Sequence, residues 1–201
     1  MKNKKILMMC IDAMFLSIIL IMTFTPLGFI TLFGVVSNTL IHIPVLIGAL
    51  LFGYKKGLLY GTFFGLASLF KALTSPVTIL DPYFVNPLVS VLPRVLFGLI
   101  SGLVFDLIKK LPKVYNMPLL YVSSFILTIL HSILTLGSLS LVHYQEINSL
   151  ATSYYGSILL FIYGTIITNG LIEGGLALII TPSLYLPLKK YLNNYRLIEI
   201  K

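Results

Sequence analysis

Residues 38–70 read NTLIHIPVLIGALLFGYKKGLLYGTFFGLASLF. The stretch is almost wholly apolar, yet it carries His42 near its start, Lys55 and Lys56 in its middle, and Gly57, Gly61 and Gly65 four residues apart. A lysine at the centre of a bilayer costs at least about 2.5–3.5 kcal/mol. The pair therefore marks a tight turn at a water interface, shaped by Gly53 and Gly57. One apolar run enters the turn and another leaves it.

Working outward, the same alternation recurs along the chain. Apolar runs predict six helices, at 6–25, 39–52, 57–73, 87–108, 118–142 and 154–188. A helix needs roughly 20 residues to cross a ~30 Å hydrocarbon core. The second is short for a full crossing, so it tucks among its neighbours or is extended by the preceding loop. The sixth is long enough to tilt or to run past the membrane surface.

Composition agrees. Of 201 residues 58% are hydrophobic and 10% charged, with a mean hydropathy of +1.01. Soluble domains are about a quarter charged, and one this poor in polar residues could not cover its surface. A membrane β-barrel would show short segments of alternating polarity instead. The expectation is an all-α integral membrane protein, a single six-helix domain over 1–201. The N-terminal MKNKK and the apolar run after it resemble a signal peptide. The run is too long and lacks a small-residue cleavage site, so it reads as an uncleaved first helix.

The basic residues give the orientation. Lys2, Lys4, Lys5, Lys55, Lys56, Lys109, Lys110, Lys113, Lys189, Lys190, Arg196 and Lys201 fall on one side of the helix pattern, twelve of the fourteen Lys and Arg. The opposite loops, 26–38 and 143–153, hold none. The positive-inside rule then puts both termini in the cytoplasm. The net charge of +8 belongs to these loops and does not signal nucleic acid. The glycines at 57, 61 and 65 share one face of the third helix and allow a neighbour to approach closely.

Six polar residues in the apolar runs require a reason: His42, Asn86, Arg94, His131, Asn169 and Glu173. His42 and Asn86 are placed at outer helix ends, Arg94 two turns inside the fourth helix, and His131 near the middle of the fifth. Asn169 and Glu173, four apart, share a face of the sixth. Together they allow one outward-facing polar pocket, walled by aromatics such as Tyr83, Phe84 and Tyr163. Arg94 with Glu173 could equally be a structural ion pair, and His131 a helix-to-helix hydrogen bond. Asp12 and Asp106 lie near the inner surface and pair with nearby lysines or snorkel. Lys71 and Asp81 read as solvated residues of an outer loop.

Enzymatic signals are weak. There is no HExxH, no carboxylate cluster for a metal, and no P-loop. Ser132 points to a different helix face from His131. Lone Cys10 excludes an intrachain disulfide and a multi-cysteine metal site. No cofactor is called for. A stand-alone carrier would be expected to show internal repeats, and none is evident.

TPLGFI at 25–30, followed by IHIPVLIGALLFGYKKG at 41–57, resembles the substrate-binding S components of energy-coupling factor (ECF) vitamin transporters. NPLVSVLPRVLFGLISGLV at 86–104 and TNGLIEGGLALIITP at 168–182 fit the same family in the same order, and the likeness covers about 8–190. The resemblance implies a six-helix, multi-pass subunit of the bacterial plasma membrane that binds a vitamin near the outer face. It implies a lid formed by the loop after the first helix, here with Phe29 and Phe33. It also implies docking on the transmembrane coupling protein EcfT with two ATPase subunits, through small residues of the first helix. Ala13 and Ser17 have that spacing, with Ser in place of the usual second alanine.

Within the family the motifs look like the branch associated with pantothenate, pyridoxine or hydroxymethylpyrimidine. Pantothenate has a carboxylate suited to Arg94. Neutralisation of Arg94 by Glu173 would favour a neutral ring vitamin instead. The competing readings are a membrane scaffold or assembly subunit without a small-molecule site, and a stand-alone carrier.

Overall fold

The computed structural model of the chain describes residues 2–30 and 38–194. Its helices are α1 (Lys2–Phe24), α2 (His42–Phe52), α3 (Tyr54–Thr74), α4 (Pro87–Ser90), α5 (Leu92–Ile108), α6 (Lys113–Val142), α7 (Tyr144–Tyr155), α8 (Ile158–Thr165) and α9 (Leu171–Asn194). The one departure from an all-α architecture among the described residues is a ladder of two two-residue strands, β1 (Phe29–Ile30) and β2 (Asn38–Thr39). It is antiparallel and pairs Phe29 with Thr39 and Ile30 with Asn38.

Five helical stretches are long and apolar enough to cross a membrane: Lys4–Phe24, Tyr54–Thr74, Pro87–Ile108, Val114–Val142 and Ile158–Asn193. Their outer faces carry large apolar side chains such as Leu141 and Leu159, as lipid contact requires. The protein is a membrane protein. α2 is different. At 11 residues it is only about 17 Å long at ~1.5 Å per residue. It starts at 42 instead of 39, because Thr39 is taken up by the ladder and the Leu40 N–H donates to the Gly28 carbonyl at 2.9 Å. Every residue from His42 to Leu51 is buried, as suits a helix that is apolar all round.

The expected turn at the lysine pair forms at Gly53, whose φ of +81° lies in the left-handed region that favours glycine. The Asp106 carboxylate accepts the Tyr54 N–H at 3.0 Å and pairs with Lys109. Asp12 pairs with Lys56 and accepts the Tyr60 hydroxyl at 2.7 Å. Both acids thus meet the lysines expected of them.

α3 lies on α5 with almost no side chain between them. A Cβ on Gly57 would sit 2.3 Å from the Gly98 carbonyl oxygen, and one on Gly61 2.4 Å from that of Arg94. The glycine face therefore sets the height at which Arg94 leaves α5.

Two expectations need correcting. The loop at 143–153 is the helix α7. Ile147, Leu150 and Ala151 recur at helical spacing and pack on a cluster with Leu80, Val89, Leu139 and Phe161. The helix expected at 154–188 starts at 158 and runs on to 193 as one helical stretch with a π turn inside it. Tyr154 and Tyr155 finish α7, Gly156 turns the chain at φ +80°, and Ser157 caps α8 by accepting the Leu160 N–H. Between α8 and α9 the residues Ile166–Gly170 form a π turn.

Candidate functional site

A cavity of about 470 Å³ opens among the end of α1, the ladder, α3, α5, α6 and the α8–α9 rod. Its volume falls within the roughly 300–1,000 Å³ of small-molecule sites. Four of the six singled-out polar residues reach it: Arg94, His131, Asn169 and Glu173. They come from α5, α6, the π turn and α9, so elements far apart in sequence converge on one space.

Arg94 is 6% exposed. Its Nη1 donates to the Val89 carbonyl at 2.6 Å, and the guanidinium lies over Phe84 at 5.0 Å and Phe64 at 5.7 Å from the ring centres. Among the described residues its Nε has no hydrogen-bond partner, and neither do His131 Nδ1 or Thr135 Oγ1. Buried polar atoms are normally satisfied. Orphans gathered at a cavity wall are the groups a ligand would engage.

The possible ion pair between Arg94 and Glu173 is not formed. The two ion pairs among the described residues are Lys56 with Asp12 and Lys109 with Asp106. Glu173 Oε1 instead accepts the Thr39 backbone N–H, and the Thr39 hydroxyl at 3.3 Å. A carboxylate in α9 thus anchors β2, and among the described residues no acid pairs with the guanidinium.

The remaining expected residues separate. His42 is the first residue of α2, at the helix end expected, but it is fully buried one layer behind the wall and not at the pocket rim, its ring 5.8 Å from His131 and 6.4 Å from Phe97. The ladder and the Gly28–Leu40 hydrogen bond draw the start of α2 inward, which explains its depth. Asn86 is the N-cap of α4, its Oδ1 accepting the Leu88 N–H at 3.0 Å, with Pro87 next as is usual at a helix start. Phe84 lines the cavity, whereas Tyr83 packs on His143 at 5.2 Å. Tyr163 is 70% exposed on α8 and stands away from the cavity. Phe29 lines the cavity, and Phe33 lies outside the described residues. Ala13 and Ser17 are exposed on α1, opposite the buried Phe15 and Ile19.

Lys71 and Asp81, expected to be solvated, both line the cavity. Asp81 is tied into its own loop by the N–H groups of Val77 and Thr78. Lys71 could have been suspected from its sign: it is a basic residue on the side that otherwise lacks them. Thr39 offered no signal, since its contact is made chiefly by its backbone.

The family whose model matches residues 7–185 is described as ECF transporter, substrate-specific component. The chain is also similar to the Pantothenate transporter PanT of Leuconostoc mesenteroides subsp. mesenteroides, with 37% identity over 110 residues. That match covers 53% of this chain and 54% of the relative, so the chain spans about half the length of the curated relative it matches.

Proposed function

The chain belongs to the substrate-specific components of ECF transporters, and on that premise we propose that it is the membrane-embedded subunit that captures pantothenate for an ECF-type ABC importer. One observation carries the choice of vitamin. The cavity holds a buried guanidinium with an orphan Nε, and the acid that could have neutralised it is engaged by Thr39. A buried cation without an acid is costly. A ligand carboxylate relieves that cost by a charge-assisted hydrogen bond. Pantothenate has such a carboxylate, with an amide and hydroxyls for Asn169 and His131, while pyridoxine and hydroxymethylpyrimidine have none. The relative's name points the same way.

In this reading α2 joins the five long helices as a sixth membrane segment, and both chain ends lie in the cytoplasm. The ladder roots the lid, with Phe29 at its base. The exposed Ala13–Ser17 face of α1 meets EcfT, which is bound to two ATPases. Small residues there let the helices approach closely.

The test is a thermal-shift panel of B vitamins on the purified protein in detergent. Pantothenate should raise the melting temperature at micromolar concentration or below, and pyridoxine should not. Stabilisation by pyridoxine or hydroxymethylpyrimidine alone would rule out the carboxylate reading.

A further inference from the structure

Of the fourteen basic residues, Lys71 and Arg94 are the two that depart from the one-sided pattern. Both line the cavity. They do so at different depths. Arg94 lies beside Gly61 of α3, and Lys71 follows in the last turn of the same helix. From position 61 to position 71 the helix rises about 15 Å at ~1.5 Å per residue. Arg94 is buried, whereas Lys71, at the helix end, is only half-buried.

Among the described residues Lys71 makes no contact ion pair, although the Asp81 carboxylate is near enough to attract it. The Lys71 Nζ sits 3.2 Å from the centre of the Phe29 ring, at the start of β1. Asp81 shares the cavity, but its two oxygens accept from the N–H groups of Val77 and Thr78 and from the Thr78 hydroxyl, at 2.6 to 2.9 Å. A cation on an aromatic face is attracted less strongly than one on a carboxylate. An arriving anion can therefore displace the ring.

We propose that Lys71 is a capture residue: it meets the anionic group of the substrate at the mouth of the cavity, before that group settles on Arg94. The proposal rests on the pantothenate reading. It assigns the two cations separate kinetic duties. A charge at the rim governs association and its dependence on salt, and a buried charge governs dissociation.

The test measures association and dissociation rates of pantothenate by stopped-flow tyrosine fluorescence, on the full chain in detergent, at low and at high salt. Lys71→Gln should slow association about tenfold at low salt. It should remove most of the salt dependence and leave dissociation within about twofold of the unsubstituted protein. Lys71→Arg should keep fast association. Arg94→Gln should instead speed dissociation. Pantothenol, which carries an alcohol in place of the carboxylate, should associate equally well with and without Lys71. Unchanged association in Lys71→Gln, an equal slowing for pantothenol, or an effect confined to dissociation would each overturn the capture role while leaving pantothenate as substrate. No pantothenate binding by the unsubstituted protein would overturn both readings.

Discussion

Thr39 and Glu173 are 134 positions apart, and the backbone N–H and hydroxyl of the first both donate to one carboxylate oxygen of the second. This contact joins the ladder to α9 across the cavity. Glu173→Ala should free β2 and weaken vitamin binding by roughly 1–3 kcal/mol, about ten- to a hundred-fold. Glu173→Gln keeps a carbonyl acceptor and should lose less. Titration calorimetry of both variants is decisive: equal, undiminished affinities would mean that binding does not use this anchor.

Arg94 is expected to separate ligands by charge. Arg94→Gln should weaken pantothenate about ten- to a hundred-fold and leave pantothenol nearly unchanged. Arg94→Lys should also bind poorly, because a single ammonium cannot hold the Val89 carbonyl and present a planar fork to a carboxylate. Competition binding against pantothenol measures this. A parallel loss for both ligands would place the guanidinium in a purely structural role.

Asn169 and Tyr163 form a matched pair on the α8–α9 rod. Asn169 lines the cavity and Tyr163 faces outward. Asn169→Ala should cost roughly 1–3 kcal/mol of vitamin affinity, and Tyr163→Ala should cost almost none. If the two variants behave in the reverse way, the wall has been assigned to the wrong face.

Much of this wall was legible in the sequence, because an arginine, a glutamate, an asparagine and a histidine inside apolar runs demand an explanation. Their partners were not legible. Arg94 with Glu173 was a reasonable pair on charge alone, but a backbone N–H of a distant loop reached the carboxylate instead. Lys71 read as solvated because a lysine at a helix end normally is. The depth of His42 depended on how the ladder tucks in the start of α2. α7 was hidden by Gln145, Glu146, Asn148 and Ser149, whose polarity suggests a loop although one face of the helix is buried.

Ala13 and Ser17 test the assembly. Replacing either with Trp should reduce recovery of the coupling protein in co-purification and lower uptake by cells, with pantothenate affinity of the isolated subunit unchanged. Both side chains are exposed, so no cost within the subunit is expected. Loss of vitamin binding with normal co-purification would move the docking face elsewhere.

The α3–α5 contact gives a structural control. Gly61→Leu would drive a side chain into the Arg94 carbonyl, and overpacking of this kind costs typically 1–3 kcal/mol. The melting temperature should fall, and vitamin affinity with it, because the same shift displaces the guanidinium. A variant of unaltered stability and affinity would show that the two helices can part without disturbing the site.

The π turn at Ile166–Gly170 adds a residue to the helical cadence just where the rod borders the cavity. Its effect resembles that of a spliced seam. The extra residue re-phases α9 against α8 within one continuous rod, so that Glu173, three residues past the seam, holds Thr39 while Asn169, inside it, borders the same cavity.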